Sequence, residues 1–211
     1  MLVTEIKKLD SKKSLIYLDY CPAFALYRSE IRKYGIDIEG ELKAEVYADI
    51  LKNVLRKRCR ERAGYILGKS DKTEYDLKNK LKQGFYPDKI IDEVINDFID
   101  YGFIDDKRFA ENYVKHNISS KSRNRIYNEL IRKGVSKEII QSVLTEYTDE
   151  SEEYLEAKNK MILKEFTKKK YDFEKEDRLL LNKIIMALMR KGFSYEDIMQ
   201  EYNILKRNFD K

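Results

Sequence analysis

The chain has 211 residues, 43 basic and 38 acidic side chains, and a formal net charge of +5. Charged residues reach 38%, against roughly 25% in an average soluble protein, while 42% are hydrophobic, a mix that excludes both a disordered tail and a membrane protein. Eight Gly and two Pro are too few for many short strands and tight turns, which leaves a mostly helical protein with strongly charged helix faces.

The N-terminal stretch MLVTEIKKLDSKK lacks the apolar segment a secretion signal requires. The longest apolar-rich stretch, Leu179 to Met189, is broken by Asn182 and Lys183 and is too short to span a bilayer, so a cytoplasmic protein is expected. Val3, Ile6 and Leu9 precede a polar turn at 10–13, and Leu15 to Leu18 and Phe24 to Tyr27 follow. Such short runs bounded by turn residues predict two or three strands. Ser29 is placed to cap a short helix ending at Gly35. Residues 1–43 therefore read as a small β-containing module. Cys21 and Cys59 match no metal-ligand or CxxC spacing and read as ordinary thiols.

From about Ala44 the pattern is helical, and it repeats. Ile126, Tyr127, Leu130 and Ile131 stand eight, seven, four and three residues before Gly134; Ile184, Ile185, Leu188 and Met189 stand likewise before Gly192. Residues four apart share a helix face, so both segments bury one stripe and stop at a glycine cap. Around Gly84 the stripe is Leu77 and Leu81, one residue closer to the glycine. An apolar residue comes next (Phe85, Val135, Phe193), then a helix start at Pro87, Ser136 or Ser194. Pro87 suits a first helical position, and Ser194 with Asp197 has capping-box spacing.

Each such pair of helices is preceded by another, carrying Ala63, Ile66 and Leu67, then Phe109, Ala110, Tyr113 and Val114, then Ala157, Met161 and Ile162. The glycine anchors lie 50 and 58 residues apart. This period predicts a mainly α fold: a tandem, elongated, solenoid-like array of three three-helix repeats over residues 44–103, 104–148 and 149–211. The acidic stretch 148–153 marks the last join.

Catalytic signals are weak. The single histidine, His116, sits in a lysine-flanked polar stretch and reads as a solvated side chain. Asp105 and Asp106 precede a helix, where acidic caps are favoured. There is no GxxxxGK[ST] loop and no zinc-ligand cluster, so a non-enzyme without cofactor or metal is expected.

The basic clusters say more. Arg56, Lys57, Arg58, Arg60 and Arg62 form one; Lys121, Arg123, Arg125, Arg132 and Lys133 a second; Lys168, Lys169 and Lys170 a third. Basic helix faces suit phosphate contacts, which give salt-dependent affinity with little sequence preference, although a solvated face is the competing reading. At 100° per residue Arg125, Asn128 and Arg132 share one side of a helix, opposite Ile126 and Leu130. The same offsets from Gly192 select Lys183 and Arg190. Phe98, Phe109, Tyr113, Tyr127 and Phe193 fall at core-facing or cap-packing positions rather than on a base-stacking platform.

Thr73-Glu74-Tyr75-Asp76-Leu77 with Lys80-Leu81 and Gly84-Phe85, then Tyr101-Gly102-Phe103-Ile104-Asp105-Asp106 leading into Arg108-Phe109-Ala110 and Tyr113-Val114, resemble the signatures of the RecX family. Ile126 to Leu130 with Lys133-Gly134-Val135 continues the resemblance. Tyr17-Leu18-Asp19 and Ala23-Phe24 resemble its N-terminal strand segment, and after residue 150 the match loosens apart from Arg190-Lys191-Gly192-Phe193. The resemblance implies a regulator of the RecA recombinase in homologous recombination, DNA repair and the SOS response. Such a regulator binds the RecA–single-stranded-DNA filament along its helical groove and modulates RecA, with inhibition the expected direction. The implied partners are the filament and single-stranded DNA, with no membrane, and a monomer is expected. The shortening before Gly84 departs from the family pattern. Two other classes stay open: a helix-turn-helix-like DNA-binding regulator, which predicts sequence-specific duplex binding, and a protein-only helical scaffold, which predicts no DNA dependence.

Overall fold

A computed structural model describes residues 1–148, 152–175 and 177–209. The chain divides into two compact units, Met1–Asp105 and Asp106–Lys211. The part of the acidic stretch at 149–151 lies outside the described residues.

The first unit opens with a three-stranded antiparallel meander, β1 (Val3–Lys8), β2 (Lys13–Leu18) and β3 (Cys21–Tyr27). Asp10 shapes the first turn by accepting the Lys12 and Lys13 N–H groups at 2.6 and 2.8 Å. The second turn has two residues, Asp19 and Tyr20, both at positive φ, the twist that matches a tight hairpin. Helix α1 (Arg28–Tyr34) does end at a left-handed Gly35, but Ser29 is not its cap. The Glu30 carboxylate accepts the Tyr27 N–H at 2.8 Å instead, leaving Ser29 inside the first turn.

Helix α2 (Ala44–Asp49) runs through a π-helical stretch, Ile50–Leu55, into α3 (Arg56–Leu67). The wider π turn brings Ile50 onto the face that Leu55, Cys59, Ala63 and Ile66 continue at α-helical spacing. With α4 (Glu74–Lys82) and α5 (Asp88–Asp100), these residues share one core with Ile16, Leu18, Phe24 and Leu26 of the sheet.

The second unit holds two further three-helix groups. Helices α6 (Asp106–Asn117), α7 (Arg123–Arg132) and α8 (Lys137–Thr148) enclose Ala110, Val114, Ile126, Leu130, Val135, Ile140 and Leu144. Helices α9 (Glu152–Lys168), α10 (Arg178–Arg190) and α11 (Tyr195–Phe209) enclose Ile162, Phe166, Ile184, Leu188, Phe193, Ile198 and Tyr202. The fold is thus mainly α, built from helical repeats, with a small N-terminal sheet. No helix among the described residues is long and apolar enough to cross a membrane.

The expected glycine anchors need one correction. Gly134 and Gly192 take φ of 80° and 90°, but in the first group the left-handed residue is Phe85 at 56°, not Gly84. The hydrogen bonds agree: Phe85 N–H donates to Lys82 as Gly134 does to Ile131 and Gly192 to Met189. Counted from Phe85, Leu77 and Leu81 lie at the same offsets as Ile126 and Leu130, so the first helix is not shortened. Gly84 is required for another reason: a Cβ there would lie 2.5 Å from a ring carbon of Tyr86. Tyr86, packed on the core, replaces Val135 (2% exposed) and Phe193 (6%), whereas Phe85 is 41% exposed. Pro87 likewise stands one residue before α5, its carbonyl accepting from Ile90 and Ile91. The Ser194–Asp197 cap forms as its spacing suggests, with Ser194 Oγ accepting the Asp197 N–H at 3.0 Å.

Candidate nucleic-acid and filament interface

The first basic cluster does not form one patch, because α3 winds its charges around the axis. Arg58 turns inward: it pairs with Glu30, donates to the Ala25 carbonyl at 3.4 Å, and lies 4.5 Å over the Tyr27 ring. It ties α3 to the sheet. Arg56 pairs with Glu93 and Asp97, and Arg60 with Asp97 at 3.2 Å while lying over the Phe98 and Tyr101 rings. Arg62 lies over Tyr65, and Lys57 is exposed.

The second cluster splits in two. Lys121, Arg125 and Tyr113 converge on Glu129, at 2.7, 3.2 and 2.6 Å. Burial by itself would raise the Glu129 carboxyl, but the hydrogen bonds from Lys121, Tyr113 and Arg125 outweigh it and hold the group at about 2. Lys133 covers the Phe109 and Tyr113 rings, and Arg123 is half-buried. Arg132 is exposed, as are Arg125 and Asn128 on the same side, while Ile126 and Leu130 are fully buried opposite. On α10, Lys183 and Arg190 are exposed at the equivalent offsets from Gly192. Their neighbours are apolar: Leu179 is 75% exposed and Met186 59%. The corresponding positions of α4 are Asp76, Asn79 and Gln83, so the basic stripe belongs to two repeats and not to the first.

The third cluster closes α9. Lys169 and Lys170 are exposed beyond its end, but Lys168 lines a cleft of about 400 Å³ between α9 and the start of α7. The same cleft is lined by Lys121 and Arg125, and by Lys160, Lys164 and Lys191, which the cluster reading misses. Lysines 160, 164 and 168 recur every four residues on one helix face, a spacing readable in the sequence. Like charges at that spacing cost a helix about 0.2–0.5 kcal/mol per pair, so folding does not account for them.

The residues set aside for chemistry stay apart from these surfaces. His116 is exposed, its Nδ1 2.6 Å from the Asn112 carbonyl, and Asp106 opens α6. Cys21 is exposed, while burial pushes the Cys59 thiol up to about 12. No group of three or more His, Cys, Asp or Glu among the described residues could hold a metal ion. Phe98 and Phe193 are core residues, whereas Tyr101 and Phe103, in the loop after α5, are exposed.

Residues 105–144 match the family model for the second three-helix domain of RecX. The regulatory protein RecX of Clostridium perfringens (strain SM101) is 30% identical over 196 residues, covering 91% of this chain and 89% of that protein. The chain belongs to the RecX family. A second RecX relative, from Clostridium acetobutylicum, is 29% identical over 214 residues, covering 99% of this chain and 97% of its own. The crystal structure of a regulatory protein RecX shares the fold with a TM-score of 0.65 at 24% identity, over 96% of this chain and 98% of that one. RecX from Lactobacillus salivarius gives 0.62 at 28% identity, over 71% and 96%. Both Clostridium relatives are named regulatory proteins, which supports a regulatory role for this chain. Within the RecX match at 105–144 lie the whole Glu129 cluster and Arg132, while the α9 lysines lie outside it.

Proposed function

We propose that this RecX-family chain binds the RecA–single-stranded-DNA filament and restrains RecA recombinase activity, acting as a monomer in the cytoplasm and without chemistry of its own. The observation that carries the reading is the basic stripe held at equivalent positions of two repeats, Arg125 and Arg132 on α7 and Lys183 and Arg190 on α10. All four side chains are exposed; Arg125 also binds Glu129, whereas Arg132, Lys183 and Arg190 make no ion pair among the described residues. Repeated contacts on one chain suit a repeating polymer, where several moderate interactions add avidity that a free RecA subunit does not offer.

The test is filament affinity across a salt series for wild type and the Arg125→Glu, Arg132→Glu double variant. Weakened binding by a variant that stays folded supports the reading, with some loss of stability expected because Arg125 also binds Glu129, and matching curves remove the stripe. A pull-down of RecA with and without single-stranded DNA and a non-hydrolysable nucleotide separates filament binding from duplex recognition and from a protein-only scaffold.

A further inference from the structure

The cleft between α9 and the start of α7 holds more positive charge than a filament contact on the outer stripe requires. Lys160, Lys164 and Lys168 enter it from α9, Lys121 and Arg125 from α7 and the loop before it, and Lys191 from the end of α10. The carboxylates within reach are Glu165, taken by Lys191, and Glu129, taken by Lys121 and Arg125. The three α9 lysines have no ion pair or hydrogen bond among the described residues. Two of the N–H groups at the start of α7 are already used, that of Arg125 by Ser122 Oγ and that of Arg123 by Tyr154.

We propose that this cleft is a binding site for a free nucleoside polyphosphate. A volume of about 400 Å³ falls within the usual range of small-molecule sites. Convergent cations on three sides match a compact chain of phosphates, whose charges are concentrated in one place. A nucleic-acid strand spreads the same phosphate chemistry along an open surface. Ala157, Met161 and Phe193 give the cleft an apolar floor, which suits the base or sugar of a nucleotide. The protein's own ammonium groups supply the countercharge, so a magnesium ion on the phosphates is a competitor and not a bridge. The ligand is bound and released intact.

Calorimetric titration of the full chain with ATP, inorganic tripolyphosphate and an oligothymidylate tests this. ATP is expected to bind saturably, more tightly than tripolyphosphate and more tightly without magnesium than with it. Lys160→Glu with Lys164→Glu, both on the exposed side of a helix, should weaken ATP binding about tenfold or more. Lys8→Glu with Lys52→Glu, the same charge change at exposed lysines of the first unit, should leave it unaltered. The neutral pair Lys160→Gln with Lys164→Gln should show a smaller loss in the same direction. Absence of saturable ATP binding overturns the proposal, as does equal binding by the cleft and control variants. Tripolyphosphate binding as well as ATP overturns the nucleoside part, and an oligothymidylate that binds the cleft where ATP does not assigns it to nucleic acid instead. None of these titrations contains RecA, so their failure leaves the filament reading standing.

Discussion

Helices α7 and α10 end at equivalent left-handed glycines and bury equivalent residues, Ile126 and Leu130 in one, Ile184 and Leu188 in the other. Their outward faces differ. Where α7 shows Arg125, Asn128 and Arg132, α10 shows Lys183, Met186 and Arg190, with Leu179 and Met189 beside them. Glu129, which gathers Lys121, Arg125 and Tyr113, corresponds to Ala187. The inward half of a repeat is held by packing, which tolerates little change, whereas the outward half is free to take on different partners. By its chemistry the α7 face suits phosphate, and the α10 face, apolar with two cations, suits a protein surface.

The largest effects should fall where the two helices agree. Leu130→Ala and Leu188→Ala each remove a fully buried side chain and should cost about 2–5 kcal/mol, read as a lowered denaturant midpoint. An unchanged midpoint for either would mean that the shared stripe is not the basis of the repeat.

Smaller effects should separate the faces. If α7 meets phosphate, Arg125→Glu with Arg132→Glu should flatten the log-affinity against log-salt plot by about 0.7–0.9 per lost contact. Met186→Ser with Leu179→Ser should weaken filament binding while leaving that slope alone, because no charge is removed. Equal slopes for both double variants would collapse the distinction between the faces.

Acid should act on the Glu129 cluster of α7, and also on Glu165, which the Lys191 ammonium at the end of α10 holds below its ordinary value. Glu129 is held at about 2 in the folded chain, below the roughly 4.3 of an unfolded glutamate. A depressed carboxyl contributes stability that is complete above its unfolded value and is lost as pH falls through the folded one. Wild type should therefore lose stability between about pH 4 and 2 beyond what Glu129→Gln loses, with the two converging below that window. Parallel curves would show that Lys121, Arg125 and Tyr113 do not hold the carboxylate in solution.

The parts of this architecture that were legible in the sequence are local ones. Stripes such as Leu77 with Leu81 or Ile184 with Leu188 follow from helical period alone, as do the glycine stops at 134 and 192 and the Ser194 cap. The obscure parts depend on what packs across from a residue. Arg58 looks like its neighbours in a basic run, and only Glu30 and Tyr27, brought from a different element, turn it inward. Lys160 and Lys164 have a visible spacing, but their meeting with Lys121 and Lys191 needs the fold. The π turn at Ile50–Leu55 has no signal in composition, and it is what lets one helical run keep a single buried face.

The smallest effect concerns the third member of the set, α4, whose left-handed turn is made by Phe85. A non-glycine residue at positive φ costs roughly 1–2 kcal/mol, and a glycine there returns about 0.5–1 kcal/mol of that through its looser unfolded chain. Phe85 is 41% exposed, so its ring offsets the strain only in part. Phe85→Gly should thus be neutral to stabilising, by no more than about 1 kcal/mol. Gly192→Ala should go the other way, because its φ is 90° and an added Cβ would lie 2.6 Å from Ser122 Oγ, which already donates to the Lys191 carbonyl. Thermal unfolding of the two variants reads the signs directly. A destabilised Phe85→Gly would mean that the exposed ring has a packing role in the first unit that outweighs its backbone strain, and the three turns would then be alike in hydrogen bonding but not in what holds them.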